Sequence, residues 1–133
     1  MRPANGQRRI TSERGEVTSA VILAPVAIVA IMLAIQAGLV FHARSLVQTA
    51  AQDAARAAQA ETANAADGQT AGLRWIPDGG LLEDPAITVT RSATQVDVFA
   101  TSGVISLVPF WDPIVTATVS GPVEAFRPES ERP

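Results

Sequence analysis

The side chains of this sequence that could do chemistry are few and poorly placed for catalysis. The 133 residues include one histidine and no cysteine, which excludes disulfides, thiol chemistry, Cys-based zinc sites, iron–sulfur clusters and His-rich metal sites. Serine and threonine are plentiful, but there is no G-x-S-x-G motif, no lysine and no nearby histidine to activate a hydroxyl group. We therefore predict no catalytic residues, no cofactor-binding residues and no enzymatic activity.

Two remaining groups could bind a proton or a cation. His42 lies at the end of a long apolar run, where a proton relay would need ionisable partners that the run lacks. Asp78, Glu83 and Asp84 could bind calcium, but they lack the regular oxygen-ligand spacing and the bidentate glutamate of a dedicated loop. We interpret His42 as an interfacial polar residue and the three acids as a solvated turn, and we predict no metal site.

The residues that decide the class of protein form an uncharged run. Between Glu16 and Arg44 lie 27 residues without Asp, Glu, Lys or Arg. A helix of that length rises about 40 Å, more than the roughly 30 Å hydrocarbon core of a bilayer, so it can span a membrane once with some tilt. The remainder leaves about 55 to 60 residues for a core, near the lower limit for unaided folding. We predict a transmembrane helix over residues 17–43 and exclude a large stand-alone enzyme.

The charges on either side of this run indicate its orientation and exclude one class of partner. Four arginines precede the run, whereas two follow it closely, so the positive-inside rule places the N-terminus in the cytoplasm. We expect residues 1–16 to form a cytoplasmic basic tail, disordered over its first 14 residues. Residues 67–133 carry four arginines against nine acids, which is unsuited to a phosphate backbone. We predict a single-pass protein of the cytoplasmic membrane with an extracytoplasmic C-terminal domain and no nucleic-acid partner.

A cleavable secretory signal is an alternative interpretation of the same run. The apolar part of such a signal is about 7 to 15 residues long and ends in a pair of small residues. The run here is longer, and no position within residues 35–43 at its end has the pair of small residues that a signal-peptidase cleavage site needs. A mature N-terminus at Gly38 or Arg44 would establish this alternative.

Three features within the predicted span concern packing against other helices. Ala30, Ala34 and Gly38 recur every four residues and form a small-residue track that lets another helix approach closely in lipid. Gln36 is the strongly polar side chain deep in the run, and we expect it to bond across helices, to bond to its own helix or to snorkel. Pro25 lacks an N–H group, so a kink or weak point is expected one turn into the helix.

The distal half predicts a helix followed by strands. Residues 44–66 are rich in alanine and continue the helix without Gly or Pro, so we expect one helix over Val17–Ala66, stopped by Asp67-Gly68. Residues 67–72 form a predicted linker, residues 73–127 a small β-rich domain and residues 128–133 a mobile tail. The fold class is an α+β membrane protein with one long helix and a small, mostly antiparallel sheet. The predicted strands are 73–76, 87–90, 95–100, 104–108 and 114–119, with 123–126 as a sixth.

The aromatic residues are concentrated in this distal half. Phe110 and Trp111 lie between two prolines and could form an exposed docking loop, because aromatic side chains anchor interfaces. Since large rings are usually buried in a small domain, we favour the interpretation that they form its core together with Trp75, Phe99 and Phe126.

Three segments of the chain together resemble a known family. The first is ERGEVTSAVILAP over residues 13–25, which follows a basic tail; the second is His42-Ala43-Arg44 with AAQDAARAA over residues 50–58; the third is SGPVEAFRP over residues 120–128. In these respects the chain resembles TadE-like proteins, which are accessory pseudopilins of the tight-adherence pilus assembly system.

The resemblance implies a pilin-like helix that packs against other pilin-like or pilus-assembly subunits, with the distal domain outside the cytoplasm. It also implies cleavage by a prepilin peptidase between Gly15 and Glu16. Pilin-like proteins usually carry a glutamate five residues after that glycine, where this chain has Ala20. A permanently anchored accessory subunit is therefore an alternative to a cleaved, mobilised one. The alternative outside the family is a membrane-anchored ligand-binding or interaction module unrelated to pili.

Overall fold

A computed structural model of the chain describes residues 7–125, with side-chain burial from Arg14 onwards. The described part contains a long helix, a short helix and three strands, and it confirms the predicted α+β class. The order of the elements is α1 (Gln7–Gln59), α2 (Ala65–Leu73), β1 (Leu82–Arg91), β2 (Gln95–Val104) and β3 (Ile114–Pro122). The calls on residues 1–6 and 126–133, including the predicted C-terminal tail, lie outside the described residues.

Helix α1 differs from the predicted helix at both ends. Its 53 residues begin at Gln7, within the segment predicted to be disordered, and it continues through Pro25 without a break. Adding a residue to an existing helix costs much less than nucleating one, so the long apolar helix extends into its polar flank. The helix ends at Gln59 and not at Ala66, because the following residues turn back towards a second helix.

The C-terminus of α1 is capped by residues far along the chain. Arg91 donates from Nε to the Ala58 carbonyl at 2.9 Å and from Nη2 to the carbonyls of Ala60 and Glu61 at 3.1 and 3.3 Å. The backbone N–H of Glu124 donates to the Gln59 carbonyl at 2.9 Å. The last carbonyls of a helix lack hydrogen-bond partners within the helix, and they lie at the negative end of its dipole. A guanidinium group supplies both the missing donors and a favourable positive charge. A tertiary contact therefore decides where α1 ends.

Helix α2 occupies the segment predicted as a stop and a linker. Asn64 and Asp67 form a capping box: Asn64 accepts from the Asp67 N–H at 2.9 Å, and Asp67 accepts from the Asn64 N–H at 2.8 Å. Reciprocal side-chain caps of this kind start a helix. The predicted stop at Asp67-Gly68 and the linker over residues 67–72 are therefore wrong, since both lie in α2.

The three strands of the described part form an antiparallel meander in the order β1-β2-β3. Three of the predicted strands lie within them. Buried and exposed side chains alternate along β2 and β3, where Val96, Val98 and Ala100 are buried together with Val115 and Ala117. Two predicted strands are wrong. Residues 73–76 form the last residue of α2 and the turn that follows it, and residues 105–108 form a loop. Residues 123–125 are not in a strand, and residue 126 of that prediction lies outside the described part.

The core lies between one face of this sheet and a stripe of small residues on α1. The stripe begins at Ala43 and continues to Ala58, and every alanine in it that faces the sheet or α2 is almost fully buried. Alanine offers little area to bury, so close approach of the backbone compensates for the small side chains. The stripe consists of Ala43, Val47, Ala50, Ala51, Ala54, Ala55 and Ala58.

Candidate membrane and helix-packing surfaces

The N-terminal part of α1 projects beyond the sheet and exposes its apolar side chains. An 18-residue window of the helix over Arg14–Gln59 has a mean hydropathy of 2.6, and none of that window is buried. Side chains from Val17 to Ile35 are exposed all round the helix, except for the half-buried Met32. Exposing an apolar surface of this size to water is unfavourable, so the surface indicates a membrane or protein interface. By length and composition this segment is the candidate membrane-spanning helix among residues 7–125.

The predicted small-residue track lies on the side of α1 that its own domain leaves open. Ala30 and Ala34 are exposed, and nothing lies within 4 Å of the position where a Cβ on Gly38 would be. Ala34 and the sheet-facing Ala43 are nine residues apart, which at about 100° per residue places them on opposite sides of the helix. The track is therefore free for another helix, and its role in packing stays a prediction.

The amide of Gln36 contacts this chain's own distal domain. The side chain is fully buried; its Nε2 donates to the Ile105 carbonyl at 3.2 Å, and its Oε1 accepts from the Leu107 N–H at 2.7 Å. The bond that the sequence suggested to another helix is thus made to the loop between β2 and β3. The periodicity of α1 gave no signal for this pairing, because the two partners are about seventy residues apart.

The loop that Gln36 holds presents apolar side chains outward. Phe110 is fully exposed, and Trp111 is 45% exposed. Ile105 and Leu107 are exposed to about the same extent as Trp111. Within the described part, the interpretation of Phe110 and Trp111 as core is therefore wrong, and Trp75 and Phe99 are also about half exposed. A docking role for Phe110 and Trp111 stays a prediction that this exposure permits.

The segment that contains most of these features matches a known family. Residues 20–56 match the family described as TadE-like protein. This segment is TadE-like. The resemblance predicted from the sequence is confirmed over these residues. No curated protein and no solved structure matches the chain.

The TadE-like segment has two structurally different halves. Its first half is the exposed apolar helix with the small-residue track, and its second half is the alanine stripe covered by the sheet and α2. Pro25 lies in the first half and interrupts neither the helix nor its exposure. The family match therefore covers both the candidate membrane helix and the surface on which the distal domain is built.

Gly15 and Glu16 precede the TadE-like segment on the same helix. Both residues are exposed, and nothing lies within 4 Å of a Cβ placed on Gly15. A glycine in a helix interior weakens the helix by about 1 kcal/mol relative to alanine. The bond between Gly15 and Glu16 is therefore reachable and lies at a weak point of α1, while its cleavage stays a prediction.

The acidic side chains of the described part do not converge on a cation site, and the surface has shallow grooves beside the sheet. Among the described residues, no group of three or more His, Asp or Glu side chains is placed to hold a metal ion. A groove of about 280 Å³ between α1 and β3 is lined by aliphatic side chains together with one guanidinium and one hydroxyl group. Its lining residues are Val40, Arg44, Ile114, Val115 and Thr116.

Proposed function

We propose that this chain is a minor-pseudopilin component of a tight-adherence pilus and secretion system that acts without catalysis by packing its membrane helix against other subunits. The observation that carries the proposal is the TadE-like match over a helix whose apolar surface and small-residue track are open. The N-terminus lies in the cytoplasm, and the sheet domain lies outside the cytoplasmic membrane. Its partners are pilin-like or pilus-assembly subunits.

The two sides of α1 divide the work in this proposal. The side that bears Ala43 and Val47 holds the distal domain, whereas the side that bears Ala30, Ala34 and Gly38 receives a partner helix. In lipid, helices associate through close van der Waals contact and not through hydrophobic burial, so small residues at the contact are the main requirement. The arrangement lets the chain bind a partner in the membrane while its own domain stays attached.

Enlarging the small-residue track is expected to weaken partner binding. The double variant A34L/G38L places two bulky side chains where a partner helix would approach, and we expect co-purification of pilus-assembly subunits from membranes to fall about tenfold, which corresponds to about 1.4 kcal/mol. Val29→Leu is the matched control, since it adds one methylene to an exposed apolar residue about 140° away from Ala34. Equal co-purification of wild type and double variant would remove this interface from the proposal.

Processing at the cytoplasmic edge of the span gives a second test. We expect the protein recovered from membranes to begin at Glu16, because Gly15 is exposed at a weak point of the helix next to the apolar segment. N-terminal sequencing and intact mass measure this directly, and Gly15→Leu should leave the full-length chain uncut. A wild-type start at Met1 or Arg2 would instead identify a permanently anchored accessory subunit, for which Ala20 at the usual glutamate position is the supporting observation.

A membrane-anchored ligand-binding or interaction module is the alternative function. It would need a pocket lined by convergent polar groups in the distal domain. The sheet instead packs one face on α1, and the two described grooves, of about 270 and 280 Å³, are smaller than the usual ligand pocket of roughly 300–1,000 Å³. These observations favour the pilus-assembly proposal.

A further inference from the structure

The distal domain is held at a fixed height on α1, with one end directed towards the candidate span. At the far end, Arg91 and Glu124 contact the last turn of α1. Strand β2 then runs back along the helix from Gln95 to Val104, and the loop that follows it is bonded to Gln36. The loop between β2 and β3 therefore lies at the end of the domain nearest the candidate span, where Gln36 holds it against α1.

The height of Gln36 coincides with the end of a bilayer-length helix. Gln36 lies twenty residues after Glu16, the last charged residue before the apolar run, and twenty helical residues span about 30 Å. That length equals the hydrocarbon thickness of a typical bilayer. When Glu16 lies at the cytoplasmic boundary, Gln36 and the loop bonded to it lie at the opposite boundary, so the span ends near residue 36 and not at residue 43, where the uncharged run ends.

The loop has the composition of a membrane-interface segment. No charged residue occurs between Asp97 and Asp112. Ile105 and Leu107 are about 40% exposed, and Phe110 extends fully into the surroundings from a backbone with φ of 67°. A bulky residue in this left-handed region is strained by about 1–3 kcal/mol, and such strain persists where the fold imposes it. Aromatic and aliphatic side chains gain free energy at a membrane–water boundary, where tryptophan is enriched.

We infer that the loop over residues 105–111 is a second membrane contact, which inserts Phe110, Trp111 and Leu107 into the outer interface of the bilayer that α1 crosses. The inference rests on the membrane insertion of α1 in the proposed function and goes beyond it, because it assigns a lipid-binding surface to the distal domain. The occupant is lipid and not a second protein, because the Gln36 bonds fix the loop beside the boundary of the chain's own span.

The charges at the same end limit how deep the contact is. Glu83 and Asp84 begin β1, Glu83 pairs with Gly103, and Asp112 follows the loop; all three acids are exposed. Carboxylates are costly in hydrocarbon, so these residues stay in water and allow only the apolar tip to enter. The contact is therefore shallow and does not need anionic lipid.

Three single-cysteine variants of the full chain test this contact, because the chain has no native cysteine. Phe110→Cys reports on the loop, Val29→Cys on the span and Thr90→Cys on an exposed residue at the far end of β1. Each is labelled with an environment-sensitive fluorophore and reconstituted in phosphatidylcholine vesicles that contain a lipid with a nitroxide near its headgroup or deep in its chain. We expect the shallow nitroxide to quench the label at residue 110 by about twofold or more, the deep one to quench the label at residue 29, and neither to quench the label at residue 90.

Each contrary pattern overturns the inference in a distinguishable way. A quenched label at residue 29 with an unquenched label at residue 110 would leave the span in place and remove the loop contact. An unquenched label at residue 110 that is nevertheless shielded from aqueous iodide would replace lipid by a second copy of this chain as the occupant of the loop. An unquenched label at residue 29 would remove the span and with it the proposed function. Trp111 in the Trp75→Phe variant repeats the measurement without a label.

Discussion

Replacing Gly68 with alanine is expected to destabilise the distal domain by about 1–3 kcal/mol, the usual cost of overpacking a tight contact. A Cβ at this position would lie 2.7 Å from the Ala54 carbonyl oxygen and 2.8 Å from the Ala58 Cβ. Both atoms belong to α1 at the point where α2 crosses it, and neither is the end of a flexible side chain. The helices must therefore move apart, which opens the contact that Gly72 makes one turn later, where a Cβ would lie 3.0 Å from the Ala50 carbonyl oxygen.

The same substitution at Gly38 is the matched control. Gly38 also lies in a helix, but nothing is within 4 Å of its added Cβ. Because alanine is favoured over glycine in a helix interior by about 1 kcal/mol, Gly38→Ala should leave the chain unchanged or stabilise it. Urea unfolding in detergent, followed by circular dichroism, measures both variants. Changes of the same sign and size would show that helix propensity, and not close packing, governs Gly68.

Gly68 also shows why the course of the chain after α1 was difficult to predict. Next to Asp67, a glycine is a normal helix-stop signal, so the local sequence predicts that the helix ends there. In the structure it is a contact residue inside α2, and the stop is made earlier by Arg91. Local sequence indicates where a helix can end, whereas the end of this helix is capped by a residue 31 positions along the chain.

The strand predictions were correct where buried and exposed side chains alternate over many residues. They were wrong where residues typical of turns lie inside a strand. The alternation of Val96, Val98 and Ala100 indicated β2 correctly, because a two-residue period needs no tertiary information. Asp84-Pro85 suggested a turn but lies within β1 at an irregularity in its pairing, where Asp84 has a positive φ of 46°. A bulge tolerates such residues inside a strand, which is why the first strand is longer than predicted.

Of the candidate surfaces, some could be predicted from local sequence and others depend on contacts between distant residues. The apolar run and its small-residue track depend only on composition and helical spacing, and both were visible in the sequence. The loop over residues 105–111 is placed beside α1 by hydrogen bonds between distant residues, among them the two to Gln36. The sequence therefore suggested Phe110 and Trp111 as a docking loop but could not locate that loop in the fold. Gln36 was recognised as unusual in an apolar helix, but its partner could be found only in three dimensions.

Replacing Gln36 with leucine is expected to release this loop from α1. The change keeps the size of the side chain similar but makes it apolar, so it removes the acceptor of the Leu107 N–H and the donor to the Ile105 carbonyl, at 2.7 and 3.2 Å. A buried backbone group that loses its partner costs about 1–3 kcal/mol. We therefore expect the Leu107 amide to exchange its hydrogen about tenfold to a hundredfold faster in the variant, since local opening then needs correspondingly less free energy.

Gln48→Leu provides the control, because Gln48 is an exposed glutamine on the same helix. It makes the same chemical change outside the loop contact and should leave exchange at Leu107 unaltered. Exchange at Val98, in the middle of β2, distinguishes local release from general destabilisation, since only the second would accelerate both sites. An unchanged Leu107 rate in the Gln36 variant would show that other contacts hold the loop. A faster rate confined to the loop would identify the Gln36 amide as the group that sets the height of the distal domain above the membrane, and Trp111 should then lose its fixed depth in the bilayer.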